Sequence, residues 1–431
     1  MNLSEDYPAS WYAATRNIHT EHPSLDGHLD TDVCIVGAGF SGLSTAIYLA
    51  EKGVDVVVLE ANRIGWGASG RNGGHLVRGY GEGTPDLVTQ KVGAEQGERA
   101  RQLGYECPEL VRDLVARYKI DCDLRDGYVR LAVTRRQAEK LRATADFLEQ
   151  SNAPGKAQYV EKADLKGLVG SDAYRAALFT DAEGHLHPLN LALGEAAALS
   201  GLGGRIFEKS AATAIQYSPD GGTVQITTAT GTVSANSLVL CGNAYLEHLE
   251  PTLRPTLIPG YSGIIATEPM AADLTSRIMP HQFASSDLRT VMDYYRLTPD
   301  GRLLWGGLAH WSGDDYDNPQ ALLRKRMLKI FPWLAGVSID YAWTGRVGIS
   351  ANLNPQIGRL APNVYYAQAY SGHGVASTHM SGRMICDAIL GGSADFDIFA
   401  SLKHQAVPPH PVVRRLARAW GMNSRRVMEW F

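Results

Sequence analysis

TDVCIVGAGFSGLSTAIYLAEKGVDVVVLE, residues 31–60, decides the fold of the first part of the chain. Val33, Ile35 and Val36 make an apolar, β-prone run that ends at Gly37-Ala38-Gly39-Phe40-Ser41-Gly42. Residues 43–52 have helical spacing, Gly53 stops the helix, and residues 54–59 are a second buried strand. Strand, glycine turn, helix and strand in this order bind a dinucleotide. Gly37 allows a tight turn, Gly39 lets the backbone approach a pyrophosphate, and Gly42 lets helix and strand pack closely. The positive helix N-terminus at Phe40 and Ser41 faces the phosphates. Glu60, followed by Ala61, closes the second strand where it can accept ribose hydroxyls, and its charge argues against a 2′-phosphate.

The rest of the composition narrows the class. With 431 residues the chain can fill the cores of two domains. Its hydrophobic content of 45% and charged content of 20% are those of a globular protein. A net charge of −4 and the lack of any RNA or DNA motif exclude nucleic acid as the expected partner. Cys34, Cys107, Cys122, Cys241 and Cys386 are dispersed without CxxC or metal-ligand spacing, which suggests reduced core thiols, no metal and a cytoplasmic location. The N-terminus reads as polar with no signal peptide, and no apolar run is long enough to span a bilayer.

Residues 1–30 read as an irregular arm carrying Tyr7, Trp11 and Tyr12. After Glu60 comes a glycine-rich loop with Gly65, Trp66, Gly67, Ala68, Ser69, Gly70, Arg71, Asn72, Gly73, Gly74 and His75, suited to threading backbone against a large ligand. Helices are expected over 87–103, 108–118 and 136–150, with a strand at 127–133. His185 and His187 alternate as metal ligands could, but no third ligand follows at a plausible spacing, so a hydrogen-bonded turn is preferred. A helix at 191–199, a hairpin at 224–235 and a buried strand at 237–244 follow, the last running into Gly242. Residues 257–343 change to aromatic-rich strands at 264–267, 291–297 and 303–308, with one helix at 319–331: an antiparallel sheet and a second domain. The chain then returns to the first domain through a strand at 364–368 and the glycine turn Ser371-Gly372-His373-Gly374-Val375. The tail, 401–431, carries a basic helix; a solvated or packed helix is its commoner fate, and weak contact with anionic lipid at the inner membrane face is the alternative.

VGAGFSG with Glu60, GASGRNGGH (67–75), LVLCGNAYL (238–246), DYYRL (293–297), YAWTGR (341–346) and SGHGV (371–375) together resemble the D-amino-acid oxidase superfamily of FAD enzymes, over nearly the whole chain. HPLNLALGEAAA (187–198), IATEP (265–269) and DYAWTG (340–345) are most similar to its γ-glutamylputrescine oxidase branch. The resemblance implies an α/β, Rossmann-like FAD-binding domain of the glutathione-reductase type beside an α+β substrate domain built on an antiparallel sheet. The FAD domain is discontinuous, from 31–84, 186–252 and 344–400, and the substrate domain takes 85–185 and 253–343. By the same likeness the pyrophosphate belongs at Gly37, Gly39 and Gly42 and the adenosine ribose at Glu60. Residues 69–74 would run along the flavin, with Gly242 and Gly345 nearby, and 372–375 would offer backbone N–H groups to the flavin N1–C2 region. Relatives with covalent FAD use a cysteine after the WxG motif; residues 346–358 have none, so the FAD is expected to be noncovalent.

The resemblance also implies hydride transfer from the carbon beside a neutral amine to flavin N5, giving an imine that hydrolyses. Tyr294, Tyr295 and Arg296 are candidates for the pocket, and plain sheet aromatics are the alternative. Arg78, in a phrase that continues with Tyr80, matches a carboxylate-gripping arginine of sarcosine oxidases, and Arg346 lies beside one found in glycine oxidases. A guanidinium fork suits a carboxylate. The pair favours a small carboxylated amine such as L-pipecolate or an N-alkyl amino acid. A γ-glutamyl-polyamine oxidase is the alternative, and ordinary ion pairs are the bland account of both arginines. The oxygen-activating lysine of sarcosine oxidases is missing, since no lysine lies between Lys209 and Lys325. His75 could supply that charge, or be a hydrogen-bonded loop residue. O2 and a quinone or other electron carrier both remain open as acceptors.

Overall fold

A computed structural model describes residues 6–81, 84–151, 153–246, 248–310 and 315–406; the basic tail helix expected from the sequence lies outside these. Two sheets carry the architecture. The first runs Gln356–Ala361, Val364–Gln368, Gly231–Leu240, Gly27–Val36, Val56–Leu59, Arg205–Phe207. Its central pairings are parallel, with Val33 opposite Val56 and Val36 opposite Leu240. Parallel strands need cover on both faces, which is why Val56–Leu59 is buried at every position. The helices Phe40–Ala50, Pro188–Gly201 and Gly374–Ile389 supply part of that cover through Leu43, Ile47, Leu191 and Met380.

The second sheet runs Ile339–Ser350, Leu257–Thr267, Leu303–His310, Tyr294–Leu297, Ala284–Asp287, Arg125–Ala132, Ala176–His185, His75–Leu76. It is antiparallel except between Ala284–Asp287 and Arg125–Ala132, which run parallel, so the sheet is mixed. Side chains alternate between its faces. Tyr294, Leu304, Ile264 and Trp343 turn to the core shared with the first sheet. Tyr295, Trp305, Leu303 and Ile265 turn to a separate core closed by Met327 and Phe331. Residues 344–350, expected in the first domain, pair with Leu257–Thr267 in this second sheet.

Two expectations change for clear physical reasons. The break expected near Pro108 does not occur: Ala94–Tyr118 is one helix with Pro108 inside it. The proline cannot donate to the Gly104 carbonyl, and the Gly79 N–H takes that acceptor at 2.9 Å instead. The arm is also not irregular throughout. Trp11–Ala14 is a short helix capped by Ser10, and Tyr12 is fully buried.

Candidate active site and cofactor cradle

The cradle is shaped by glycines that have no room for a side chain. Gly37 sits at φ +109°. A Cβ at Gly42 would lie 1.9 Å from the Gly37 carbonyl oxygen, and one at Gly39 would lie 2.8 Å from Ser69 Oγ. Helix Phe40–Ala50 has no cap from its own Gly39, and the Phe40 N–H donates to Ser69 Oγ at 3.0 Å. Ser41 Oγ meets the Tyr370 hydroxyl at 2.8 Å. Glu60 accepts from the Ala38 and Asn62 N–H groups at 2.8 and 2.9 Å. Burial pushes its carboxyl up to about 7, against these amides and that of Ala61. A second helix, Gly374–Ile389, begins after Gly372 (φ +91°) and His373, again without a side-chain cap, and Val375 opens its first turn. Gly242 precedes Asn243, whose Oδ1 accepts from the Ala369 N–H at 3.0 Å. Bare glycine turns, and two helix N-termini whose own N-cap residues give no side-chain bond, fit a dinucleotide such as FAD.

The loop after Gly67 is bound to itself and to the second sheet. Ala68–Gly70 is a 3₁₀ turn, and a Cβ on Gly70 would lie 2.4 Å from the Gly65 carbonyl oxygen. Asn72 Nδ2 donates to the Ala68 and Ser69 carbonyls, while its Oδ1 accepts from the Gly74 N–H at 2.8 Å. Gly74 (φ +73°) passes so close to Leu186 that a Cβ would lie 2.0 Å from its carbonyl oxygen. Gly73 lies under the Tyr294 ring, where a Cβ would be 2.7 Å from Cε2. Tyr294 reaches Ser262 Oγ at 3.1 Å, and Ser262 is opposite Gly345 in register. Gly345 abuts Arg71, which lies 4.0 Å from the Trp66 ring centroid and donates through Nε to the Trp66 carbonyl. Desolvation lowers the Arg71 pKa, and its Nη2 is buried without a hydrogen-bond partner.

Several expected site residues stand elsewhere or in other states. Tyr295 occupies the far face of the sheet, stacked on Trp305 with ring centroids 4.7 Å apart and its hydroxyl on Tyr174. Strand alternation puts it in the core and Tyr294 toward the loop. Tyr80 is buried against Phe399 and donates to the Ala100 carbonyl, so it too is core. His75 stands between Tyr128 and Tyr294, with Nδ1 3.2 Å from the Tyr128 hydroxyl. Burial, then the Arg296 charge, pushes its pKa down to about 3, so it is neutral and supplies no positive charge. Arg296 is fully buried and donates to the Gly73 carbonyl, the Leu186 carbonyl and the Tyr12 hydroxyl.

The two arginines expected to share a carboxylate have separate surroundings. Arg78 donates through Nε to Glu183 at 3.0 Å and through Nη2 to Thr180 Oγ1 at 2.7 Å. Arg130 completes the pair from the other side, 2.8 Å from Glu183 Oε2. Burial raises the Glu183 carboxyl, but Arg130 and Arg78 outweigh it and hold the group below its ordinary value. Arg346 lies over the Tyr245 ring at 5.6 Å, and the same tyrosine feels the charge of Arg71. His187 caps the helix Pro188–Gly201 by accepting from the Asn190 N–H, while His185 reaches the Gln282 carbonyl. Sequence reasoning missed Tyr12, Glu183, Tyr245 and Ser262. Of these Tyr12 (an aromatic in a polar arm), Glu183 (an acid inside a strand) and Tyr245 (within LVLCGNAYL) left a visible signal, and Ser262 left none.

A glycine cradle on a parallel sheet, joined by a loop to a second sheet, is the frame of a dinucleotide-dependent enzyme. The family model described as FAD dependent oxidoreductase (DAO) matches residues 32–388, and the chain belongs to that family. It acts with FAD on amines or amino acids. It is 40% identical over 404 residues to gamma-glutamylputrescine oxidoreductase of Escherichia coli (strain K12), covering 94% of each chain. Among solved structures it superposes on glycine oxidase from Geobacillus kaustophilus with a TM-score of 0.72 at 19% identity, covering 88% of this chain and 100% of that one. L-proline dehydrogenase from P. horikoshii gives 0.70 at 20% identity, covering 87% and 96%. Among the described residues no helix is long and apolar enough to cross a membrane.

Proposed function

We propose that this enzyme oxidises an amine whose carboxylate lies far from the reacting C–N bond, of the γ-glutamylputrescine kind, rather than a small amino acid such as pipecolate. The observation that carries this reading is the engagement of Arg78 by Glu183. Preference for a carboxylate close to the amine rested on Arg78 and Arg346 acting together, and Arg78 is already ion-paired with an acid inside the protein. The likeness to gamma-glutamylputrescine oxidoreductase supports the same direction.

Gly37, Gly39, Gly42 and Glu60 would hold the nucleotide end of FAD, and 69–74 with 372–375 the flavin end. Bound FAD supplies the two-electron acceptor. Tyr294 and Ser262 would line the amine pocket, and neutral His75 adds no positive charge that would repel a protonated amine on its way in. Trp343, buried with its indole N–H on the Arg71 carbonyl, helps exclude water.

Anaerobic bleaching of the flavin tests the reading, with γ-glutamylputrescine, L- and D-pipecolate, L- and D-proline, sarcosine and glycine. Bleaching by γ-glutamylputrescine at least tenfold faster than by any small amino acid is expected. The reverse order sinks the proposal and restores the small-substrate alternative. Admitting air then separates the acceptors: fast recolouring marks an oxidase, and slow recolouring that a quinone accelerates marks a dehydrogenase.

A further inference from the structure

Behind the Gly73-Gly74 turn, Arg296 Nη1, His75 Nε2 and His185 Nδ1 are buried without hydrogen-bond partners. Arg296 is the unusual member, since its side chain is fully buried and its remaining bonds go only to carbonyls and a phenol. Nε donates to the Gly73 carbonyl at 3.0 Å, and Nη2 donates to the Leu186 carbonyl at 3.0 Å and the Tyr12 hydroxyl at 3.3 Å. No carboxylate among the described residues lies within ion-pair distance of it. A buried charge is normally paired, because leaving water is costly unless a counter-charge compensates. The neighbours do not provide one. His75, His185 and His187 all feel its charge and, mainly through burial, all stay neutral. The turn is tied to Leu186 directly and through Arg296, because the Leu186 N–H donates to the Gly74 carbonyl at 2.8 Å and Arg296 bridges the Gly73 and Leu186 carbonyls. The guanidinium is therefore held rigidly, its position set by the turn itself.

We propose that Arg296 is a positioning residue whose fixed charge acts across the Gly73-Gly74 turn, and that its counter-charge is the negative charge the flavin gains on reduction. The inference rests on the reading that residues 69–74 run along the flavin. A preorganised cation beside a group that becomes anionic favours the reduced form without reorganisation. Arg296 thus raises the oxidising power of the cofactor while fixing the turn that carries it.

Sulfite tests this in the FAD-loaded enzyme, needs no substrate, and so is independent of which amine is oxidised. Its sulfur lone pair bonds to flavin N5 and the arriving negative charge stays on the ring, so its affinity reports local positive potential. Sulfite should bind wild type, and at least tenfold more weakly Arg296→Gln with unchanged FAD content. Arg296→Lys should stay within threefold of wild type. Tyr12→Phe, which removes one hydrogen bond to Arg296 and keeps the charge, should match wild type. Unchanged sulfite affinity in flavin-loaded Arg296→Gln overturns the proposal, as does failure of the wild-type holoenzyme to bind sulfite. Should Arg296→Gln lose its flavin, the lysine variant decides: within threefold supports the charge role, and tenfold weakening at full FAD content ends it.

Discussion

Arg78 follows the glycine-rich loop in sequence and Arg296 donates to its Gly73 carbonyl, and the chain treats the two in opposite ways. Around Arg78 an acid is at hand: Glu183 is fully buried, and Arg78 and Arg130 share it. Around Arg296 the loops, the arm helix and the sheet offer carbonyls, a phenol and neutral imidazoles, and no acid among the described residues. The difference teaches that a buried arginine near a site is informative only after its partner is known. A paired guanidinium holds the fold, and an unmatched one is available to a ligand.

The strongest way to break this comparison is to remove Glu183. Glu183→Ala leaves Arg78 and Arg130 without their acid and should cost about 3–5 kcal/mol of stability, read by chemical denaturation. A loss below about 1 kcal/mol would show that the cluster is solvated and the contrast with Arg296 unreal. The acid limb sharpens the same point. The Glu183 carboxyl titrates below its ordinary value in the folded state, so its stabilisation is complete above the ordinary carboxylate range and lost as pH falls through the folded pKa. The variant should therefore lose less stability on acidification than wild type does.

A smaller effect separates the two faces of Tyr294–Leu297. Tyr295→Phe removes the hydroxyl contact with Tyr174 and should cost about 1 kcal/mol with kinetics unchanged. Tyr294→Phe, which loses Ser262, should lower kcat/KM for the best amine by roughly fivefold, about 1 kcal/mol of transition-state stabilisation, with little change in melting temperature. Equal kinetic effects from both would mean the sheet face does not decide which tyrosine serves the site.

The smallest expected change is spectroscopic. Imidazole NMR should find His75 neutral down to about pH 4, with no contribution to the pH profile near neutrality. In Arg296→Gln its pKa should rise yet stay below the ordinary histidine value, because burial is the larger cause. A His75 that titrates normally in wild type would remove the Arg296 field from the picture.

How far the sequence could be read follows from the range of each interaction. Residues 31–60 were legible because the turn, the helix start and the buried parallel strands all act within one short segment, and Gly42 is forced by the carbonyl of Gly37. The partner of Arg78 was not legible, since Glu183 reaches it from a different strand. Tyr295 was misplaced because the expected strand at 291–297 carried no assignment of faces, and Tyr294–Leu297 turns its members alternately. The break at Pro108 failed for a related reason: the Gly79 N–H that rescues the Gly104 carbonyl comes from another part of the chain. The arm was misread because its polar composition hides how deeply Tyr12 is inserted.

The order of strands in the first sheet has a consequence for biogenesis. Gly27–Val36 leaves the ribosome long before Gly231–Leu240, with which it pairs, and that strand in turn waits for Val364–Gln368. At ordinary elongation rates that interval is on the order of tens of seconds. Throughout it the nascent βαβ unit exposes apolar edges that only later residues can cover. Flavin loading should therefore wait until Val364–Gln368 has been made, and chaperone demand should fall on the earlier, unsheltered segment.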